Sequence, residues 1–142
     1  MGTLVNPLAK LAPGLGYAGA VQVIDSGDIA VATGDIDLND LVEVFTARKG
    51  QMVVGVLVSS TDLDSNGTPL VTLALGDAGD DDRFLTGSTI GRTAGVDRTL
   101  AAAGAFYKFT ADTKIYVKVT AAAATAVAGT IRAALLVVNV EV

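Results

Sequence analysis

The chain contains no cysteine, no histidine and no tryptophan. Without cysteine there is no disulfide framework, no thiolate zinc site and no thiol nucleophile. Without histidine there is no Ser-His-Asp arrangement, and the usual general base and the usual metal ligand are both missing. Aromatic residues make up only 5% of the sequence, so the stacking platform of a sugar-binding cleft is poorly supplied. Charge is scarce at 18%, below the roughly 25% of ordinary soluble domains. The net charge is −5, and cations are scattered, which argues against nucleic acid as a partner because phosphate binding needs clustered Lys and Arg.

What is present is aliphatic. Hydrophobic residues reach 51% of the 142 residues, with 16 glycines and 3 prolines. The mean hydropathy is +0.53. A chain of this length makes one domain and can bury a core without staples. Residues 119–138 (VTAAAATAVAGTIRAALLVV) are long enough to cross a bilayer on length alone. They are mostly Ala and Thr, they carry Gly129, and Arg132 would sit at a costly depth. They read as a turn and a strand, so no membrane partner is expected. The N-terminus has one early cation, Lys10, and is broken by Pro7 and Pro13, which does not fit a signal peptide.

Residues 1–16 read as an extended arm, and residues 17–142 as one β-sandwich domain. The arm carries Leu4, Val5, Leu8, Leu11 and Leu15 between its prolines. An apolar arm in water is a liability, so those five residues are expected to dock on a neighbour or on their own domain. From residue 19 onward, short β-like runs alternate with Gly, Asp and Asn. Residues 20–25 and 29–33 flank Ser26-Gly27-Asp28 as a hairpin would. Residues 105–110 and 114–120 flank Ala111-Asp112-Thr113 in the same way. Residues 41–47 form a strand, and residues 69–75 another, with Pro69 at its first position. Residues 52–59 (MVVGVLVS) are continuously apolar, as in a central strand buried on both faces or one under a subunit contact. In residues 114–120, Ile115, Val117 and Val119 face one way and Lys114, Tyr116, Lys118 and Thr120 the other. Residues 121–128 make a wide loop, and residues 129–142 a long final strand. These runs amount to about eight strands at spacings of roughly 8–12 residues, an all-β antiparallel sandwich.

Chemical motifs are few. Asp77, Asp80, Asp81 and Asp82 are clustered as hard-cation ligands are, but their spacing is not that of an EF-hand and no bidentate Glu follows. A solvated turn accounts for them. Asp62 and Asp64 are a weaker version of the same pattern. The glycine loops 14–16 and 87–91 match no nucleotide-binding fingerprint. No catalytic residue, no cofactor site and no metal site is assigned. The apolar surplus in the arm, along residues 52–58 and along residues 135–142 points instead to burial against other proteins.

A resemblance follows from four runs: LALGD (73–77) leading into DDDRFL (80–85), GAFYKFTADT (104–113), IYVKVT (115–120), and the Ala/Thr segment 121–129 before the final strand. In strand and turn style these resemble small virion proteins of tailed bacteriophages, in particular capsid decoration (cement) proteins. That resemblance implies a jelly-roll-like sandwich on the capsid surface, often trimeric, bridging major capsid protein subunits and lacking an active site. Two rivals are a tail-tube, head–tail connector or head-fibre protein, and a carbohydrate- or Ca²⁺-binding sandwich module.

Overall fold

A computed structural model describes residues 21–140. Nine strands run in chain order: β1 (Gln22–Asp25), β2 (Ile29–Val31), β3 (Leu41–Ala47), β4 (Gln51–Ser60), β5 (Thr72–Gly76), β6 (Leu85–Ser88), β7 (Gly95–Asp97), β8 (Thr113–Ala121) and β9 (Gly129–Asn139). Among the described residues there is no α-helix, only three short 3-10 turns. No helix there is long and apolar enough to cross a membrane. The strands form two antiparallel sheets. Sheet A has the order β1-β9-β4-β7, with β2 also on β9, and sheet B has the order β3-β8-β5-β6. The fold is therefore an all-β, jelly-roll-like sandwich, in which the chain passes repeatedly between the two sheets.

Alternation explains which faces meet. In β8, Ile115, Val117 and Val119 are fully buried while Lys114 and Thr120 are exposed. In β9, Ile131, Ala133, Leu135 and Val137 are fully buried against them. Their branched side chains suit a pleated surface, and the two inner faces interdigitate as one core. Large aromatics close one end. Phe84, Tyr107 and Phe109 stack edge-on or tilted, with ring centroids 5.2–6.0 Å apart.

Three local expectations give way to long-range pairing. Residues 20–25 and 29–33 do not form a hairpin. Gln22 pairs with Val137 and Asp25 with Ala134, then Ile29 pairs with Ile131 and Val31 with Gly129. Both segments run the same way along β9, so they are one edge strand interrupted at Ser26–Asp28. Gly27 takes φ +67° there, and the Ser26 hydroxyl accepts the Ala133 N–H at 3.0 Å, standing in for the missing backbone acceptor.

The second expected hairpin is also absent. Residues 105–110 leave β8 and lie along the start of β4: Val53 N–H donates to Tyr107 O, and Phe106 N–H to Val53 O, each at 2.9 Å. Pairing with β4 lets Tyr107 and Phe109 join Phe84, which the local turn would not allow. Pro69 does not open β5, which starts at Thr72. The N–H groups of Leu70 and Val71 are committed to the Asp64 carboxylate and cannot enter the ladder.

Candidate functional site

The acidic run of residues 76–83 is the loop between β5 and β6. Its organiser is Asp77, which is buried. Asp77 Oδ1 accepts the N–H of Gly79 at 2.9 Å and of Asp80 at 3.0 Å. Arg83 Nε donates to Asp77 Oδ2 at 2.7 Å and Arg83 Nη2 to Oδ1 at 3.3 Å, a forked ion pair. The guanidinium lies 4.2 Å from the centroid of the Tyr107 ring, a cation–π contact. Burial alone would raise the Asp77 carboxyl, but Arg83 and the backbone donors hold it below its ordinary value. Gly76 makes the loop possible, because a Cβ there would lie 2.2 Å from the Asp80 carbonyl oxygen.

The remaining carboxylates of this loop, Asp80, Asp81 and Asp82, have oxygens within 4.8 Å of one another. Lys118 on β8 pairs with Asp81. A hydrogen bond with Asp80, helped by partial burial and by the charges of Asp80 and Asp81, raises the Asp82 carboxyl. So the four expected candidates divide: Asp77 turns inward as a structural clasp, and the other three share the rim.

Asp62 and Asp64 also separate. Asp62 accepts the Asp64 N–H at 2.9 Å in a local turn. Asp64 is only 1% exposed. It takes N–H donors from Leu70, Ala124 and Thr125 at 2.7–2.9 Å and from Asn66 and Val71 at 3.3 Å. Burial pushes this carboxyl up, and those donors outweigh it and drive it well below the usual range. It ties the β4–β5 loop to the β8–β9 loop, a structural task that leaves no oxygen facing a ligand.

The two outer sheet faces differ in chemistry. Sheet B presents Glu43 paired with Lys114 at 3.3 Å, and Thr72 bonded to Thr120 at 2.6 Å. Sheet A presents an apolar field. Across its strands the register sets Val23 beside Leu136 and Leu136 beside Gly55. Gly55 has no side chain, and a Cβ there would press on Leu136 Cβ at 3.3 Å. Val54, in the β-bulge next to Gly55, is exposed, as is Phe106, bonded through its N–H to Val53. Phe106 is 73% exposed and takes φ +60°, a left-handed conformation that a bulky residue adopts at a cost. Toward the other end, Val23, Leu57, Val96 and Ala134 line a shallow groove of about 410 Å³. Its polar edge is Arg132, whose Nε donates to Asp25 at 2.9 Å and whose Nη1 lies 3.8 Å from Asp28.

The apolar run 52–59 therefore lies at the centre of sheet A, between β9 and β7, as expected, but with part of one face open. Phe106 was missed as a surface residue. Its alternation with Tyr107 and Phe109 was a usable signal, since it places Phe106 opposite two core aromatics. The expected interface residues Leu4, Val5, Leu8, Leu11 and Leu15 lie outside the described residues.

No protein-family model matches the sequence, and no curated protein matches it. Solved structures do. A chain of the cyanophage Pam1 capsid asymmetric unit superposes with a TM-score of 0.75 and 33% identity, over 96% of this chain and 98% of that one. The chain belongs to the family of this Pam1 capsid chain. A chain from the capsid of Ralstonia phage GP4 shares the fold at TM-score 0.75 and 26% identity, covering 94% of this chain and 93% of that one. A chain from the capsid of Helicobacter pylori bacteriophage KHP30, at 15% identity and TM-score 0.53, covers 87% of this chain and 95% of that one and shares the fold alone. Phage capsid chains are thus the relatives of this family, in agreement with the resemblance to virion proteins read from the second half of the sequence.

Proposed function

We propose that the chain is a non-enzymatic structural protein of a phage virion, and within it a decoration (cement) protein on the outer surface of the head. The observation that supports this most strongly is the 33% identity to the Pam1 capsid chain over nearly the whole of both chains. The task fits the surfaces. Its conspicuous carboxylates, Asp77 and Asp64, are consumed in holding loops, and Phe106, the most exposed aromatic among the described residues, sits on a sheet face with aliphatic neighbours. A protein with these features acts by burying area against neighbours.

The partners in this reading are copies of itself, as a trimer, and the major capsid protein, whose subunits it bridges. Nucleic acid and membranes have no part, in keeping with the net charge of −5. The arm, residues 1–16, reaches a neighbouring subunit through Leu4, Val5, Leu8, Leu11 and Leu15, beside the sandwich domain of residues 17–142.

The test is binding to heads. Purified chain is mixed with empty capsids assembled from the major capsid protein alone, and the pellet is analysed after sedimentation. The expected result is saturable co-sedimentation, added knobs of density on the capsid exterior, and a higher disruption temperature of the particle. Chain found in tails of the intact virion and absent from heads would overturn the reading in favour of a tail-tube or connector role.

A further inference from the structure

The apolar field of sheet A needs an occupant. Val23 is 61% exposed, Val96 52% and Phe106 73%. Val23 and Phe106 end a row of Val23, Leu136, Val54 and Phe106 across four adjacent segments, and Val96 on β7 stands beside Ser59 farther along the same face. Among the described residues, the outer face of sheet B exposes Leu41 beside Lys118, with the Glu43–Lys114 ion pair and the Thr72–Thr120 hydrogen bond on the same sheet. The bulge at Val54 and the left-handed backbone at Phe106 each place an apolar side chain in water at local cost. Backbone outliers of this kind persist where something depends on them.

The chain preceding β1 has the matching chemistry. Residues 1–20 contain Leu4, Val5, Leu8, Leu11 and Leu15, a single cation and no acidic residue. They enter β1, the edge strand of this same sheet, at the end where Gln22 pairs with Val137. Pro7 and Pro13 remove ladder donors, so the segment is unsuited to adding a strand at an edge and suited to lying across a face. Fully extended, residues 1–20 span at most roughly 70 Å, against about 15 Å for the width of four strands. Reach is therefore ample.

We propose that the outer face of sheet A, along Val23, Leu136, Val54 and Phe106, is the docking site for the N-terminal segment of a second copy of this chain. The segment's leucines fill the row on the neighbour, and each copy both gives and receives an arm. This rests on the reading of the chain as a self-assembling capsid component, and it names the surface through which copies join.

The experiment uses purified full-length protein without capsids, so that it is independent of head binding. The chain has no cysteine, so introduced ones are unique. Leu8→Cys and Val96→Cys variants are mixed in equal amounts and treated with a short bis-maleimide linker. The expected product joins the two chains, mapped by mass spectrometry to residue 8 of one and residue 96 of the other. Adding Phe106→Asp and Val54→Asp to the Val96→Cys chain should reduce that product about tenfold, the loss a weakening of roughly 1.4 kcal/mol produces. A thermal melt of each variant confirms that it is folded. Three results overturn the proposal: no 8–96 product from the mixed, folded single variants, a Leu8→Cys plus Val96→Cys double variant that links only within one chain, or a full-length chain that remains monomeric by mass. Failure of capsid binding with the 8–96 product intact would overturn the cement reading and leave the docking site standing.

Discussion

Arg83 grips Asp77 with two donors, at 2.7 Å and 3.3 Å, across the turn that joins β5 to β6. Both side chains are largely out of water, and the same guanidinium rests on Tyr107. Truncating Asp77 to Ala strands a charge beside the core and frees the N–H groups of Gly79 and Asp80. Asp77→Ala is expected to cost about 2–3 kcal/mol in urea unfolding. Arg83→Met keeps the packing against Tyr107 and is expected to cost less, about 1–2 kcal/mol.

Among the described residues no cation pairs with Asp64, and five backbone donors converge on it. An amide in its place would turn an N–H₂ toward some of those donors. Asp64→Asn should therefore be poorly tolerated despite its near-identical shape, lowering the melting temperature by on the order of 5–10 °C. Asp62→Asn, at an exposed local turn, should change it little. Calorimetry of the two variants side by side checks the contrast.

Acid should destabilise the protein over a defined range. Hydrogen bonding from Arg132 lowers the Asp25 carboxyl from 3.8 to about 2. In Asp77 and Asp97, burial pushes the carboxyl up, but bonds from Arg83 and from Ser88 respectively outweigh it and lower the value. Each binds a proton less readily folded than unfolded, so its contribution is complete above about pH 4 and is lost as pH falls toward 2. Asp82, raised by Asp80, has the opposite sign and softens the upper edge of that loss. Melting temperature is expected to be nearly flat from pH 7 to about pH 5 and to fall steeply below about pH 4. An Asp25→Asn chain should show a shallower fall.

Phe106 and Phe109 are three residues apart and should behave oppositely. Phe109 is fully buried against Phe84 and Tyr107, so Phe109→Ala should cost about 3–5 kcal/mol. Phe106 packs little and sits at positive φ. In Phe106→Gly, relief of the left-handed backbone offsets the added freedom of the unfolded chain, and stability should stay within about 0.5 kcal/mol of the parent. Self-association measured by sedimentation should nonetheless weaken.

Much of the strand inventory was legible along the chain. The alternation of Ile115, Val117 and Val119 marked the inner face of β8, and the unbroken run at residues 52–59 marked a central strand. The acidic loop stands where turn residues place it, and the Ala/Thr loop starts one residue later than expected, because Ala121 still pairs with Thr72. What went astray was pairing. Ser26-Gly27-Asp28 has the chemistry of a hairpin turn, yet β9 offered both flanking segments a partner, and the glycine served an interruption in one long edge strand. Phe106 and Val53 are far apart in sequence, and no local signal announces their hydrogen bond.

The candidate site divides in the same way. Asp77 and Asp80–Asp82 formed one acidic run in sequence, and only the folded chain distinguished the carboxylate that clasps Arg83 from the three at the rim. Composition and period-two patterning by themselves determined an all-β protein with an aliphatic core and without histidine or thiol chemistry, because these depend on residue type and on neighbours one or two positions away. Tertiary structure alone decided which strands are neighbours and which apolar residues are left facing water. Those depend on contacts between distant segments, where the gain from burying one aliphatic face is weighed against every other face the same chain could present.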